Sequence, residues 1–441
     1  MTPITSYKSK PLTGTLNIPG DKSISHRAIM FGGLAVGETT VKGLLESEDV
    51  YCTMDAMRAF GCEIYKDKGG VWHVHGVGLG GLHEPSKSLD MGNSGTSTRL
   101  LMGLAGSHPI TCTFTGDASL SKRPMGRVIT PLTMMGANIT AREGGKLPLT
   151  ICGAEPTISI TYPLPMASAQ VKSCVLLAGL NAYGRTTVIE TTPTRDHTET
   201  MLRGFGITVE SESCKGGGTA ISIEGHQSLT PCNITVPADP SSAAFATVAA
   251  LIVPDSEITL LNVGMNPTRN GIYTSLIEMG ADIKFTNERV EGGERMADIH
   301  VRYSDTLKGI DVPAERVSSM IDEFPVFAVA ASFAKTTTTM TGLEELRVKE
   351  SDRLAMIADG LSACGVSLSA GEDSLKIQGT NKPPLGNAKI ATALDHRIAM
   401  SFLVMGMVTE QPVAIDDVSP IETSFPEFVT LMNKAGASIK I

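Results

Sequence analysis

The stretch GDKSISHRAIMFGGLAVGETTVKGL, residues 20–44, decides the fold, because its order of parts recurs along the chain. Polar residues open a run from Ser23 to Ala35 that is apolar nearly all round, the pattern of a helix buried on every side. A short segment dense in Thr and Val follows, suited to a pleated strand. Five more helical runs of this kind begin at Asn93, Ala167, Asp239, Ile321 and Leu394, each followed by such a strand: PITCTFTG, RTTVIET, EITLLNV, TTTTMTGL and PVAIDDV. A second helix then ends at a glycine, the residue favoured just past a helix C-terminus. These are Gly61, Gly136, Gly206, Gly280, Gly365 and Gly436, spaced 75, 70, 74, 85 and 71 residues apart. A near-constant period of that length indicates a symmetric α/β arrangement built from one unit written six times.

The same stretch poses an electrostatic problem. A helix start exposes unpaired N–H groups and the positive dipole end, yet Lys22, His26 and Arg27 crowd it. The other repeats collect charge at the same phase. First-helix starts carry Asn93; Ser168, Gln170 and Lys172; Asp239; Asp322 and Glu323; and Asp395, His396 and Arg397. Second-helix starts carry Lys122 and Arg123; Arg195, Asp196 and His197; and Lys349, Glu350, Asp352 and Arg353. Pseudo-symmetric repeats would bring these starts together, and helix N-termini reinforced by Lys and Arg bind anions. The expectation is a small substrate bearing several negative charges. Asp322 and Glu350 stand among the cations as groups available for proton transfer. For Glu350 the alternative is a structural salt bridge, and for Asp322 a helix N-cap.

Composition narrows the classes further. With 441 residues, 41% of them apolar, the chain suits two or more folded domains. A net charge of -9 argues against a nucleic-acid surface. No apolar run approaches the roughly 18 residues that span a bilayer, and MTPITSYKSK lacks a signal peptide's apolar core. Eight cysteines without a CxxC pair fit reduced thiols in the cytoplasm. GNSGT at 92–96 lacks the GK[ST] of a phosphate-binding loop. His73, His75 and His83 lack a Cys or carboxylate partner at helical spacing, so no metal is expected. MASAQ and TSTR offer hydroxyls without a spaced His/Asp pair, which argues against acyl-enzyme chemistry.

With these residues assembled, the chain resembles the EPSP synthases, the 3-phosphoshikimate 1-carboxyvinyltransferases of the enolpyruvyl transferase family, over essentially its whole length. The motifs that carry the likeness are GDKSISHRA (20–28), GNSGTSTR (92–99), KRPMGR (122–127), SAQVKS (168–173), RDHTE (195–199), DEFP (322–325), RVKESDR (347–353) and DHRIAM (395–400). The resemblance implies a two-domain inside-out α/β barrel, each domain made of three βαβαββ-type units with buried helices. It implies an N-terminal domain of 21–238, a C-terminal domain of 1–20 plus 239–441, and a hinge near 20 and 239, with closure on substrate.

The implied reaction transfers the enolpyruvyl group of phosphoenolpyruvate to the 5-hydroxyl of shikimate 3-phosphate by addition and elimination, with no metal and no organic cofactor. Carried over by position, Ser23, Arg27, Ser168, Ala169, Gln170, Arg195, Asp322 and Lys349 would hold shikimate 3-phosphate. Lys22, Asn93, Gly95, Arg123, Gln170, Glu350, Arg353 and Arg397 would hold phosphoenolpyruvate. Asp322, near the hydroxyl, and Glu350 with Lys22, near the methylene, would be catalytic. The expected partners are these two small molecules, with no nucleic acid and no membrane, for a monomer in the cytoplasm.

Three positions depart from the pattern. Thr423 stands where many relatives have Lys, Ala169 leaves only its backbone to offer, and Leu100 replaces a Pro found in some relatives. The alternatives are a UDP-N-acetylglucosamine enolpyruvyl transferase, whose loop carries a Cys that GDASLSKRP lacks, and a non-catalytic anion-binding relative.

Overall fold

The computed structural model describes residues 2–291, 293–422 and 424–440. Thr423, one of the three departures, lies outside them. The chain forms two compact units: an N-terminal one of residues 20–236 with 290–294, and a C-terminal one of residues 1–19, 237–289 and 295–441.

All six first helices form. In the N-terminal unit they are Lys22–Leu34, Gly95–Gly106 and Ala169–Gly179; in the C-terminal unit they are Pro240–Ile252, Phe324–Ser332 and His396–Gly406. Their Ala-rich, all-round apolar composition places them inside. Pro240–Ile252 buries every residue, and the three helices of the C-terminal unit pack on one another. In the N-terminal unit Gly95–Gly106 crosses Ala169–Gly179 so closely that a Cβ at Gly103 would lie 2.4 Å from the carbonyl oxygen of Cys174. Glycine permits that backbone approach.

Five of these helices start on a short polar side chain that accepts a free N–H of the first turn: Asp21, Ser94, Ser168, Asp239 and Asp395. The fifth in chain order begins later than the sequence suggests, at Phe324, because Pro325 suits a first turn that needs no donor. Its cap position is Glu323, without a side-chain cap bond, so Asp322 is not the N-cap that was its alternative reading.

Each repeat contributes one four-stranded sheet, and all six share a pattern: an edge strand parallel to a central strand, then two antiparallel strands. In the second repeat these are Leu89–Asp90, Thr111–Thr115, Lys146–Cys152 and Asn138–Arg142, which gives the βαβαββ order along the chain. The chain start completes two sheets of the C-terminal unit. Ile4–Tyr7 lies between Val413–Ile415 and Ser438–Lys440, and Thr13–Leu16 runs parallel to Glu257–Gly264. In the N-terminal unit Asn233–Thr235 returns to pair with Val36–Lys42, so each unit closes on itself. Sheets thus wrap a helical interior.

The second helices end at the expected glycines, all with φ between +85° and +130°, the left-handed region that favours glycine. Lys122 and Arg123 differ from expectation. They lie in and after a single turn, Leu120–Lys122, and the second helix starts only at Gly126.

Candidate active site

The start of helix Lys22–Leu34 organises the N-terminal unit. Asp21 Oδ1 accepts the Ile24 N–H at 2.9 Å, leaving the next side chains to face other partners. Lys22 Nζ lies 3.1 Å from Asp49 Oδ2 and is 29% exposed, so its ammonium is both held and reachable. Arg27 is buried, and its guanidinium donates from Nη1 to the Ser23 carbonyl (2.9 Å), from Nη2 to Ser173 Oγ (2.8 Å) and from Nε to Thr198 Oγ1 (2.8 Å). Burial lowers its pKa to about 10, with Glu199, Asp21 and Glu294 opposing, so it stays a cation at neutral pH.

A second cationic group surrounds Gly95. A Cβ there would lie 2.9 Å from Arg99 Nη1 and 3.4 Å from Arg123 Nη1. Arg123 Nη2 donates to Asn93 Oδ1 (2.7 Å), and Asn93 Nδ2 donates to Asp117 Oδ2 (2.7 Å). Arg99 Nη1 donates to Gln170 Oε1 (2.9 Å), whose Nε2 donates to Thr96 Oγ1 (3.0 Å). Burial, then the charges of Arg123 and Arg127, lower the Arg99 pKa to about 10. Like charges gathered at a helix start indicate a place for an anion. Ser168 caps the next helix through Val171 N, with Ala169 and Gln170 directly after it, and Arg195 lies on the segment before helix His197–Gly204.

In the C-terminal unit one guanidinium joins three carboxylates. Arg353 is fully buried; its Nε lies 2.7 Å from Asp395 Oδ2, its Nη1 3.1 Å from Asp322 Oδ1 and its Nη2 2.5 Å from Glu350 Oε2. Arg397 donates to the Asp322 backbone carbonyl at 3.3 Å and stands 3.8 Å from its carboxylate. Burial would raise the Glu350 pKa, but Arg353 and His396 prevail and hold it down to about 2, so Glu350 is a carboxylate at neutral pH. Lys349 Nζ bonds Glu345 Oε1 at 2.8 Å. The arrangement holds two guanidinium groups, Arg353 and Arg397, beside the carboxylates of Asp322 and Glu350.

A family model described as "EPSP synthase (3-phosphoshikimate 1-carboxyvinyltransferase)" matches residues 6–432. The chain belongs to the EPSP synthase family. It is 59% identical, over 99% of its length and 98% of the relative's, to a 3-phosphoshikimate 1-carboxyvinyltransferase of Paramagnetospirillum magneticum. Among solved structures it is similar to the EPSP synthase of Acinetobacter baumannii, with a TM-score of 0.92 and 46% identity over 100% of both chains. The enolpyruvyl transferase NikO of Streptomyces tendae shares the fold, with a TM-score of 0.75 at 15% identity over 99% of this chain and 98% of that one. The inside-out α/β architecture described above is therefore that of the EPSP synthases and of the wider enolpyruvyl transferase fold.

The N-terminal unit carries Lys22, Ser23, Arg27, Asn93, Gly95, Arg123, Ser168, Ala169, Gln170 and Arg195; the C-terminal unit carries Asp322, Lys349, Glu350, Arg353 and Arg397. Sequence reasoning missed the residues that hold these in place: Asp49 on Lys22, Thr198 and Ser173 on Arg27, Arg99 on Gln170, and Asp395 on Arg353. Arg99, Ser173, Thr198 and Asp395 lie within quoted motifs, so their positions were visible and their partners were not; Asp49 lies outside them. Among the described residues no helix is long and apolar enough to cross a membrane.

Proposed function

We propose that the chain transfers the enolpyruvyl group of phosphoenolpyruvate to the 5-hydroxyl of shikimate 3-phosphate, giving 5-enolpyruvylshikimate 3-phosphate and phosphate, on the route to aromatic amino acids. The observation that carries this reading is the Arg353 guanidinium shared between Asp322 and Glu350, which holds two carboxylates on one cation. In the addition half, the hydroxyl oxygen bonds to C2 of phosphoenolpyruvate, loses its proton, and C3 gains one. In the elimination half, C3 loses a proton as the C2–O bond to phosphate breaks. Two groups are needed for these transfers.

Asp322 is assigned to the hydroxyl proton. Glu350 is assigned to C3, where its ionised state suits the elimination half, and the Lys22 ammonium is its partner as donor in the addition half. Ser23, Arg27, Ser168, Ala169, Gln170, Arg195 and Lys349 are assigned to shikimate 3-phosphate. Asn93, Gly95, Arg123, Gln170, Arg353 and Arg397 are assigned to phosphoenolpyruvate. Fixed cations opposite the phosphate and carboxylate stabilise charge as the C–O bond breaks. The same reading has a monomer working in the cytoplasm.

The test is phosphate release by the purified chain with phosphoenolpyruvate and either shikimate 3-phosphate or UDP-N-acetylglucosamine. Release that requires shikimate 3-phosphate supports the reading. Release only with the nucleotide sugar, or none with either acceptor, overturns it.

A further inference from the structure

Lys172 belongs to none of the contacts assigned above, yet its environment is costly to build. Its side chain is wholly buried on helix Ala169–Gly179, with Nζ 2.7 Å from Glu199 Oε1 and 3.1 Å from Glu190 Oε2. Nζ also donates to the Thr194 carbonyl at 3.4 Å. One ammonium therefore faces two buried carboxylates, and Glu199 Oε2 has no hydrogen-bond partner. Burial, opposed by Lys172, raises the Glu199 pKa. A buried ionic cluster of this kind contributes little net stability, since apolar residues of similar volume often do as well or better. What it supplies is a fixed geometry.

The geometry it fixes is specific. Glu190 ends strand Arg185–Glu190, and Glu199 lies in the first turn of helix His197–Gly204. Thr194 sits on the segment between them and also donates from Oγ1 to Glu190 Oε2 at 2.7 Å. Lys172 thus ties the beginning, middle and end of the segment that carries Arg195. The same helix start supplies Thr198, whose Oγ1 accepts from Arg27 Nε and donates to Ser173 Oγ at 2.7 Å, and Ser173 is the chain neighbour of Lys172.

We infer that Lys172 is a positioning residue of the acceptor-phosphate site: through Glu190, Thr194 and Glu199 it sets the placement of Arg195 and Arg27 without touching substrate. The inference rests on the reading that these two arginines hold shikimate 3-phosphate.

The experiment compares wild type with Lys172→Met in steady-state phosphate release, varying each substrate at saturation of the other. The expected result is a KM for shikimate 3-phosphate raised at least tenfold, a KM for phosphoenolpyruvate within twofold of wild type, and a smaller change in kcat. Glu190→Gln is the second variant. It leaves one cation facing one carboxylate, so the fold is retained, and it is expected to raise the shikimate 3-phosphate KM three- to tenfold with the same split. An unchanged shikimate 3-phosphate KM in Glu190→Gln, or an equal rise in both KM values in either variant, overturns the inference and leaves Lys172 a structural ion. Absence of wild-type turnover overturns the functional reading and the inference with it; wild-type turnover with unshifted variants overturns the inference alone.

Discussion

Arg353 and Asp395 form an ion pair at 2.7 Å with neither side chain exposed to solvent. Asp395 also caps helix His396–Gly406 through the Arg397 N–H at 2.9 Å and accepts from Ser351 Oγ at 3.0 Å. Removing one partner of a buried pair leaves the other charge uncompensated, which costs about 3 to 5 kcal/mol. Asp322 and Glu350 stay on Arg353, so Asp395→Ala, which also removes the helix cap, is expected to destabilise the chain by about 2 to 3 kcal/mol. Asp395→Asn, which keeps an acceptor for the cap, is expected to cost less. Urea unfolding of both variants checks this, and a loss below about 1 kcal/mol in Asp395→Ala would show that Asp322 and Glu350 suffice to hold Arg353.

Two glycines at opposite ends of second helices should respond with opposite sign. Gly280 follows helix Gly271–Glu278 at φ +91°, and a Cβ there would meet nothing nearer than 3.7 Å, so alanine is resisted by backbone conformation alone. Gly280→Ala is expected to cost roughly 1 to 2 kcal/mol. Gly126 opens helix Gly126–Met134 without a positive φ and with open space around it. Gly126→Ala is expected to stabilise by about 0.4 to 1 kcal/mol through the unfolded chain. Thermal midpoints moving in the same direction would contradict this account.

The repeat was legible because burial writes itself into local composition. Helices such as Pro240–Ile252 must be apolar all round to sit inside, and the strands and terminal glycines recur at the same phase. Of the five capping side chains, Ser168, Asp239 and Asp395 stand among the polar residues that the sequence places at helix starts, whereas Asp322, the one residue with a cap as its alternative, does not cap. Ion pairing was not legible, because it joins residues far apart in sequence. Glu350 and Arg353 are three residues apart, but Arg353 meets Asp322 from the first helix start of its own repeat and Asp395 from the next repeat, and Lys172 meets Glu190 and Glu199 across a strand and a loop. Nothing local distinguishes Arg353, with its side chain fully buried, from Arg347, whose side chain is 35% exposed. The phase of the repeat puts Arg123 at a second-helix start, but it follows the single turn Leu120–Lys122, which has no periodicity by which to be recognised.

His26 makes stability depend on acidity in a definable way. It is fully buried against Thr53 Oγ1 (2.8 Å) and Ser97 Oγ (3.2 Å). Burial pushes its pKa down to about 3, with Asp49 opposing and Lys22 and Arg27 adding to the shift. Below its ordinary value of about 6.5 the unfolded chain takes up a proton that the folded chain refuses. The contribution is complete above that value and is lost as pH falls toward 3. Between pH 7.5 and 5, wild type should lose about 2 kcal/mol more than His26→Gln. Parallel stability curves for the two proteins would mean that the folded imidazole accepts its proton near the ordinary value.

Glu350 gives the sharpest test of the proposed chemistry. With its pKa held down to about 2, mainly by Arg353 against the effect of burial, it is ionised throughout the range in which an enzyme of this kind is assayed. No limb of kcat/KM from Glu350 is therefore expected between pH 5 and 8. Glu350→Gln removes the proton acceptor while preserving size and a hydrogen-bonding oxygen. It is expected to lower kcat by about 10² to 10⁴-fold, the range for a lost general acid or base. Shikimate 3-phosphate binding should stay within about twofold of wild type, because Glu350 is assigned to the other substrate. Calorimetric titration with shikimate 3-phosphate alone separates binding from turnover. Unchanged turnover with weakened binding would move Glu350 from proton transfer to acceptor recognition, and the C3 proton would then need another acceptor.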